Sequence, residues 1–132
     1  MQKSERRWLI NRATPQLRHL FLAMLIVACT SGPAAAHAVL VDSSPVPEST
    51  SSGPNIAIRL RFNVRIDADR SRITIIRSDG SGRKLETLKG AEPNTLTASA
   101  TGLEAGAYRI RWQVLASDGH LTSGEIHFSV GG

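Results

Sequence analysis

The chain has 132 residues, room for one domain at most, and its only cysteine is Cys29. Its net charge of +5 is unevenly spread, because Lys3, Arg6, Arg7, Arg12 and Arg18 against Glu5 place +4 of it before residue 37 and leave the remainder near neutral at +1. The basic balance is therefore no signal for a nucleic-acid partner.

The first 36 residues have the order of a cleavable signal peptide: a basic stretch through Arg18, the apolar run Leu20-Phe21-Leu22-Ala23-Met24-Leu25-Ile26-Val27-Ala28, then Ser31-Gly32-Pro33-Ala34-Ala35-Ala36. The apolar run is about half of the roughly 20 residues needed to cross a bilayer, so no membrane span is expected after cleavage. Small residues at Ala34 and Ala36 suit a peptidase cut before His37. Ile26-Val27-Ala28-Cys29 offers a second route, a lipoprotein signal that would retain a lipidated Cys29. Arg6-Arg7 leaves open whether export is general or twin-arginine. Cleavage before His37 gives two expected segments, a signal peptide at 1–36 and a domain at 37–132 without disulfides.

From His37 onward the chain reads as short alternating runs separated by turn residues, with no helical periodicity. Ala38–Asp42 is a first strand, closed by Ser43-Ser44-Pro45-Val46-Pro47, where proline forbids further ladder pairing. Asn55–Phe62 sends Ile56, Ile58, Leu60 and Phe62 to one face and Arg59 and Arg61 to the other. Ser71–Arg77 follows, then the turn Ser78-Asp79-Gly80-Ser81-Gly82 and a partner strand Arg83–Leu88. Thr95–Ala100 is a weakly patterned strand. In Ala107–Leu115, Tyr108, Ile110, Trp112 and Val114 share the apolar face, and in Glu125–Val130 Ile126, Phe128 and Val130 do. About seven short strands define an all-β domain, an immunoglobulin-like Greek-key β-sandwich. Leu103-Glu104-Ala105-Gly106-Ala107-Tyr108 fits a corner in which the Tyr hydroxyl bonds back to upstream backbone.

The missing residues exclude several enzyme classes. After the leader there is no thiol nucleophile, no glycine-rich phosphate loop and no serine elbow with a helix behind it. Trp112 and Tyr108 fall on the apolar face, so no exposed aromatic row is left to stack bases or sugars.

Three histidines remain. His127 lies on the polar face of the last strand, reads as solvated and is left out of the candidate site. His120 follows a strand end two residues after Asp118, and Gly119 between them lets the backbone bend so that both side chains converge. Taken alone, Asp-Gly-His is equally well a turn. His37 adds chemistry if it becomes the first residue, because a free α-amine and the imidazole of one residue can close a six-membered chelate ring. Three nitrogens from His37 and His120, with an oxygen from Asp118, make a tetragonal set of the kind Cu(II) prefers. Zn(II) could use the same groups in a tetrahedral arrangement.

The chain from His37 onward resembles the CopC family of periplasmic copper-binding proteins. The matching pieces are His37-Ala38-Val39-Leu40 with Ser44-Pro45, Ile58–Phe62, Leu103–Tyr108, and Trp112–His120 followed by Gly124 and Phe128. The resemblance implies one Cu(II) per chain, held at a histidine-brace site by His37, Asp118 and His120. It also implies a periplasmic copper carrier or buffer in copper homeostasis and resistance, with a CopD-type inner-membrane protein as partner. Some family members carry a Met-rich stretch with a His that binds Cu(I), whereas Ser78–Asn94 has neither here. Others place an acid after the second-strand Phe, where this chain has Phe62-Asn63-Val64.

Two other functions are weighed. A similar histidine brace serves the oxidative lytic polysaccharide monooxygenases, but the Asp118 carboxylate would fill a position oxygen chemistry needs open, and a flat aromatic substrate face is absent. An immunoglobulin-like structural module without metal would not depend on where the leader is cut.

Overall fold

The computed structural model describes residues 37–132; the segment 1–36, expected to be a signal peptide, lies outside the described residues. The compact unit formed by the described residues carries its own hydrophobic core. It contains nine strands: β1 (Leu40–Ser44), β2 (Thr50–Ser52), β3 (Ile56–Phe62), β4 (Ile66–Arg77), β5 (Gly82–Leu85), β6 (Thr87–Lys89), β7 (Thr95–Ala100), β8 (Gly106–Ala116) and β9 (Leu121–Gly131). They form two sheets, ordered β1-β3-β7-β6 and β2-β9-β8-β4-β5. This is the expected immunoglobulin-like sandwich.

Period-2 alternation decides which face of each strand is covered. Ile56, Ile58, Leu60 and Phe62 of β3 are buried, as are Tyr108, Ile110, Trp112 and Val114 of β8 and Ile126, Phe128 and Val130 of β9. These side chains meet between the sheets, where Phe62 packs edge-on against Trp112 with ring centroids 5.1 Å apart. Arg59 faces outward beside Asp42 of β1, 2.7 Å from its carboxylate. The Tyr108 hydroxyl donates to the Glu104 carbonyl at 2.9 Å, so the corner read from Leu103–Tyr108 is present.

Nine strands rather than about seven arise in two places. The single expected strand Arg83–Leu88 is broken at Glu86: Leu85 still pairs with Ile73 of β4, while Thr87 pairs with Ala98 of β7 in the other sheet. The chain thus crosses the sandwich, which periodicity alone does not reveal. The polar triplet Thr50-Ser51-Ser52 also becomes a strand, because it runs parallel along the end of β9 at Ser129–Gly131. β4 starts five residues before its expected start, at Ile66. A register shift between Asp67 and Arg72 accommodates the added length, and Asp67 Oδ1 accepts the Asp69 and Arg70 amides at 3.1 and 3.2 Å.

Candidate metal centre

β8 and β9 pair continuously from Gly106↔Val130 to Leu115↔Leu121, and the hairpin that closes them carries Asp118 and His120. The turn is fixed by Gly119 N–H donating to the Ala116 carbonyl and Ala116 N–H donating to the His120 carbonyl, each at 2.9 Å. Gly119 adopts φ +87°, a left-handed conformation that costs glycine nothing. The chain therefore turns within three residues, and both oxygens of Asp118 face residue 120: Oδ1 accepts the His120 amide at 3.0 Å, and Oδ2 lies 3.1 Å from its Nδ1.

That contact has two consequences. The amide hydrogen bond from His120, reinforced by the imidazole of His120 and the nearby His37, lowers the Asp118 pKa from its ordinary 3.8 despite partial desolvation. The carboxylate is anionic at neutral pH. The Nδ1 of His120 is engaged, which leaves Nε2 as the nitrogen free to meet a ligand.

His37 arrives from the other end of the described chain. Its ring stands edge-on to that of His120, with centroids 5.4 Å apart. The next residue, Ala38, is only 2% exposed and belongs to the core cluster, so its methyl group plugs into the sandwich directly beside His37. Val39 is held at both polar backbone groups: its N–H donates to Asn63 Oδ1 at 2.7 Å and its carbonyl accepts the Asn63 amide at 3.0 Å. In the sequence Asn63 stands out only as a position without a carboxylate. Its role as a clamp has no sequence signature, because it depends on β1 lying beside β3.

All three candidate ligands thus gather at one end of the sandwich. Among the described residues, however, no three His, Cys, Asp or Glu side chains form a ready metal-holding cluster. In this chain the nitrogen of His37 is in a peptide bond to Ala36 and is no amine, so a donor of the proposed set is still masked. Coordination by Asp118 would also replace its Oδ2 contact to His120 Nδ1. His127 is seven residues further along β9 than His120, about 24 Å at 3.4 Å per residue, and points outward near Glu125 instead. It takes no part in the site.

The fold is an immunoglobulin-like sandwich that brings a second His, from the first described residue, to the hairpin carrying a paired His and Asp. The family model for the CopC domain matches residues 40–131, and the chain belongs to that family. It is 30% identical to copper resistance protein C of Xanthomonas campestris pv. juglandis over 117 residues, covering 83% of this chain and 91% of that protein. It is 29% identical over 99 residues to copper transport protein CutJ of Bacillus subtilis (strain 168), covering 73% of this chain but only 18% of that longer protein. Among solved structures, CopC from Methylosinus trichosporium OB3b superposes with a TM-score of 0.64 at 32% identity, over 71% of this chain and 93% of that one. PcoC from Escherichia coli, described as a methionine-rich copper resistance protein, gives the same TM-score at 26% identity, over 73% and 100% of the two chains.

Proposed function

We propose that the chain from His37 onward is a periplasmic Cu(II) carrier or buffer serving copper resistance and homeostasis. It binds one copper ion through the α-amine and imidazole of His37, the imidazole of His120 and the carboxylate of Asp118. The observation that carries this reading is the convergence of His37 and His120, 83 positions apart in the sequence, with ring centroids 5.4 Å apart beside an anionic Asp118. Membership in a family whose similar proteins are named for copper resistance and copper transport supports copper as the cargo, and carriage rather than oxidative turnover.

The oxidation state follows from ligand softness. Imidazole, amine and carboxylate favour Cu(II), while Cu(I) prefers thioether or thiolate. Both methionines, Met1 and Met24, and the sole cysteine precede His37. Unlike the methionine-rich PcoC, the released domain would have no soft ligand to offer Cu(I). A CopD-type inner-membrane protein is the proposed partner for copper transfer.

The test is equilibrium copper binding by the chain starting at His37, using a competing chelator. One Cu(II) per chain is expected. His37→Ala and His120→Ala should each lower affinity by more than the about 10- to 100-fold typical of outer-shell changes. Parent-like binding by both variants would refute the site.

A further inference from the structure

We propose that the turn Asn63-Val64-Arg65, between β3 and β4, is the positioning strap of the metal centre. It ties together the two chain segments that carry the candidate ligands and supplies no ligand itself. This rests on the His37, Asp118 and His120 reading above and adds to it the device that holds the two halves in place.

The strap grips both sides. At one end Asn63 clamps Val39, two residues beyond His37, through the Val39 N–H at 2.7 Å and the Val39 carbonyl at 3.0 Å. At the other end the Arg65 carbonyl accepts the Ser117 amide at 3.0 Å, one residue before Asp118. The strap is anchored in turn to the segment before β7. Phe62 N–H donates to the Asn94 carbonyl at 2.9 Å, Asn94 Nδ2 donates to the Phe62 carbonyl at 2.7 Å, and Ile66 N–H donates to the Pro93 carbonyl at 3.1 Å.

The distance between the His37 segment and the Asp118 hairpin is therefore set by a three-residue piece of backbone, which spans at most about 11 Å. Without the strap it would depend on packing relayed across the sandwich. The need for such a device is local. β1 begins only at Leu40, so His37 has no ladder pairing of its own, and a chain end without ties frays. Preorganised ligands bind metal more tightly because less ordering is left to the binding step.

One side chain makes this testable. The other ties to Val39 and Ser117 run from backbone to backbone, and only Asn63 Oδ1 can be removed by substitution. Asn63 is exposed at the turn, so its replacement does not disturb the core. As a neutral amide it accepts the Val39 N–H without carrying charge.

The experiment compares the chain from His37 onward with its Asn63→Ala, Asn63→Asp and His120→Ala variants. It measures Cu(II) affinity, thermal unfolding without metal and hydrogen exchange at the Val39 amide. Asn63→Ala should weaken copper binding about 10- to 100-fold. It should speed Val39 exchange and leave the metal-free unfolding temperature near that of the parent. Asn63→Asp retains an acceptor oxygen and should restore Val39 protection and most of the affinity. Parent-like affinity in Asn63→Ala would overturn the strap, as would a failure of Asn63→Asp to restore either property. If the parent binds no copper, or His120→Ala binds as the parent does, it is the underlying site that fails.

Discussion

Gly124 lies against the indole of Trp112, and a Cβ added there would stand 2.4 Å from Trp112 Cζ2. Because Trp112 is 6% exposed and packed against Phe62, the ring cannot move aside without disturbing the core. Gly124→Ala should therefore cost about 1–3 kcal/mol of stability, measured by denaturant unfolding, through overpacking. A neutral result would mean the indole has room to shift. Tyr108→Phe tests a different kind of contact, the hydroxyl donating to the Glu104 carbonyl, and should cost about 1 kcal/mol in the same measurement. The Tyr contact was legible in the sequence because its spacing to the upstream turn is local. The Gly124–Trp112 contact was not, since it needs the β8–β9 register that sets Trp112 opposite Gly124.

The β8–β9 hairpin carries the candidate Asp118 and His120 at its tip and an ion-pair network on its outer face. Glu125 bridges Arg111 at 2.7 Å and Arg109 at 3.3 Å. Its hydrogen bond with Arg111, aided by the Arg109 charge, holds the carboxyl below its ordinary 4.5 although desolvation works the other way. A depressed folded-state pKa gives stability that is fully present above the unfolded value and lost as pH falls through the folded one. Glu125→Gln should therefore lower the unfolding temperature modestly at neutral pH and flatten its fall with acidification below about pH 4.5, where the parent loses the same contribution. An unaltered acid limb would show that the network does not couple to folding.

Strands β3, β8 and β9 were readable because each keeps one apolar face over six or more residues, whereas β7 was readable only from its Thr and Leu content between turns. β2 and the break between β5 and β6 were not. Three-residue strands hold too few alternations to show a period, and they exist because a neighbouring edge offers them partners.

At the scale of the whole molecule, the sandwich brings the first described residue to the tip of its last hairpin. Asp118-Gly119-His120 in the sequence was as much a turn as a ligand pair. The fold makes it a turn whose hydrogen bonds also aim the Asp118 carboxylate at the imidazole. Ala38 in the core and Asn63 on Val39 bring His37 to the same place. These contacts join residues far apart in the chain, so the sequence could name the candidate ligands but not what holds them. The remaining donor depends on processing, because the nitrogen of His37 becomes an amine only when the bond to Ala36 is cut.

Cu(II) binding separates the outcomes most sharply when the chain beginning at His37 is compared with the same chain whose His37 α-amine is acetylated. One tightly bound copper is expected in the first. In the second an affinity loss of more than about 100-fold is expected, with an unchanged unfolding temperature in the absence of metal, because only the amine donor has been removed. Equal copper affinity in the two chains would contradict the proposed site.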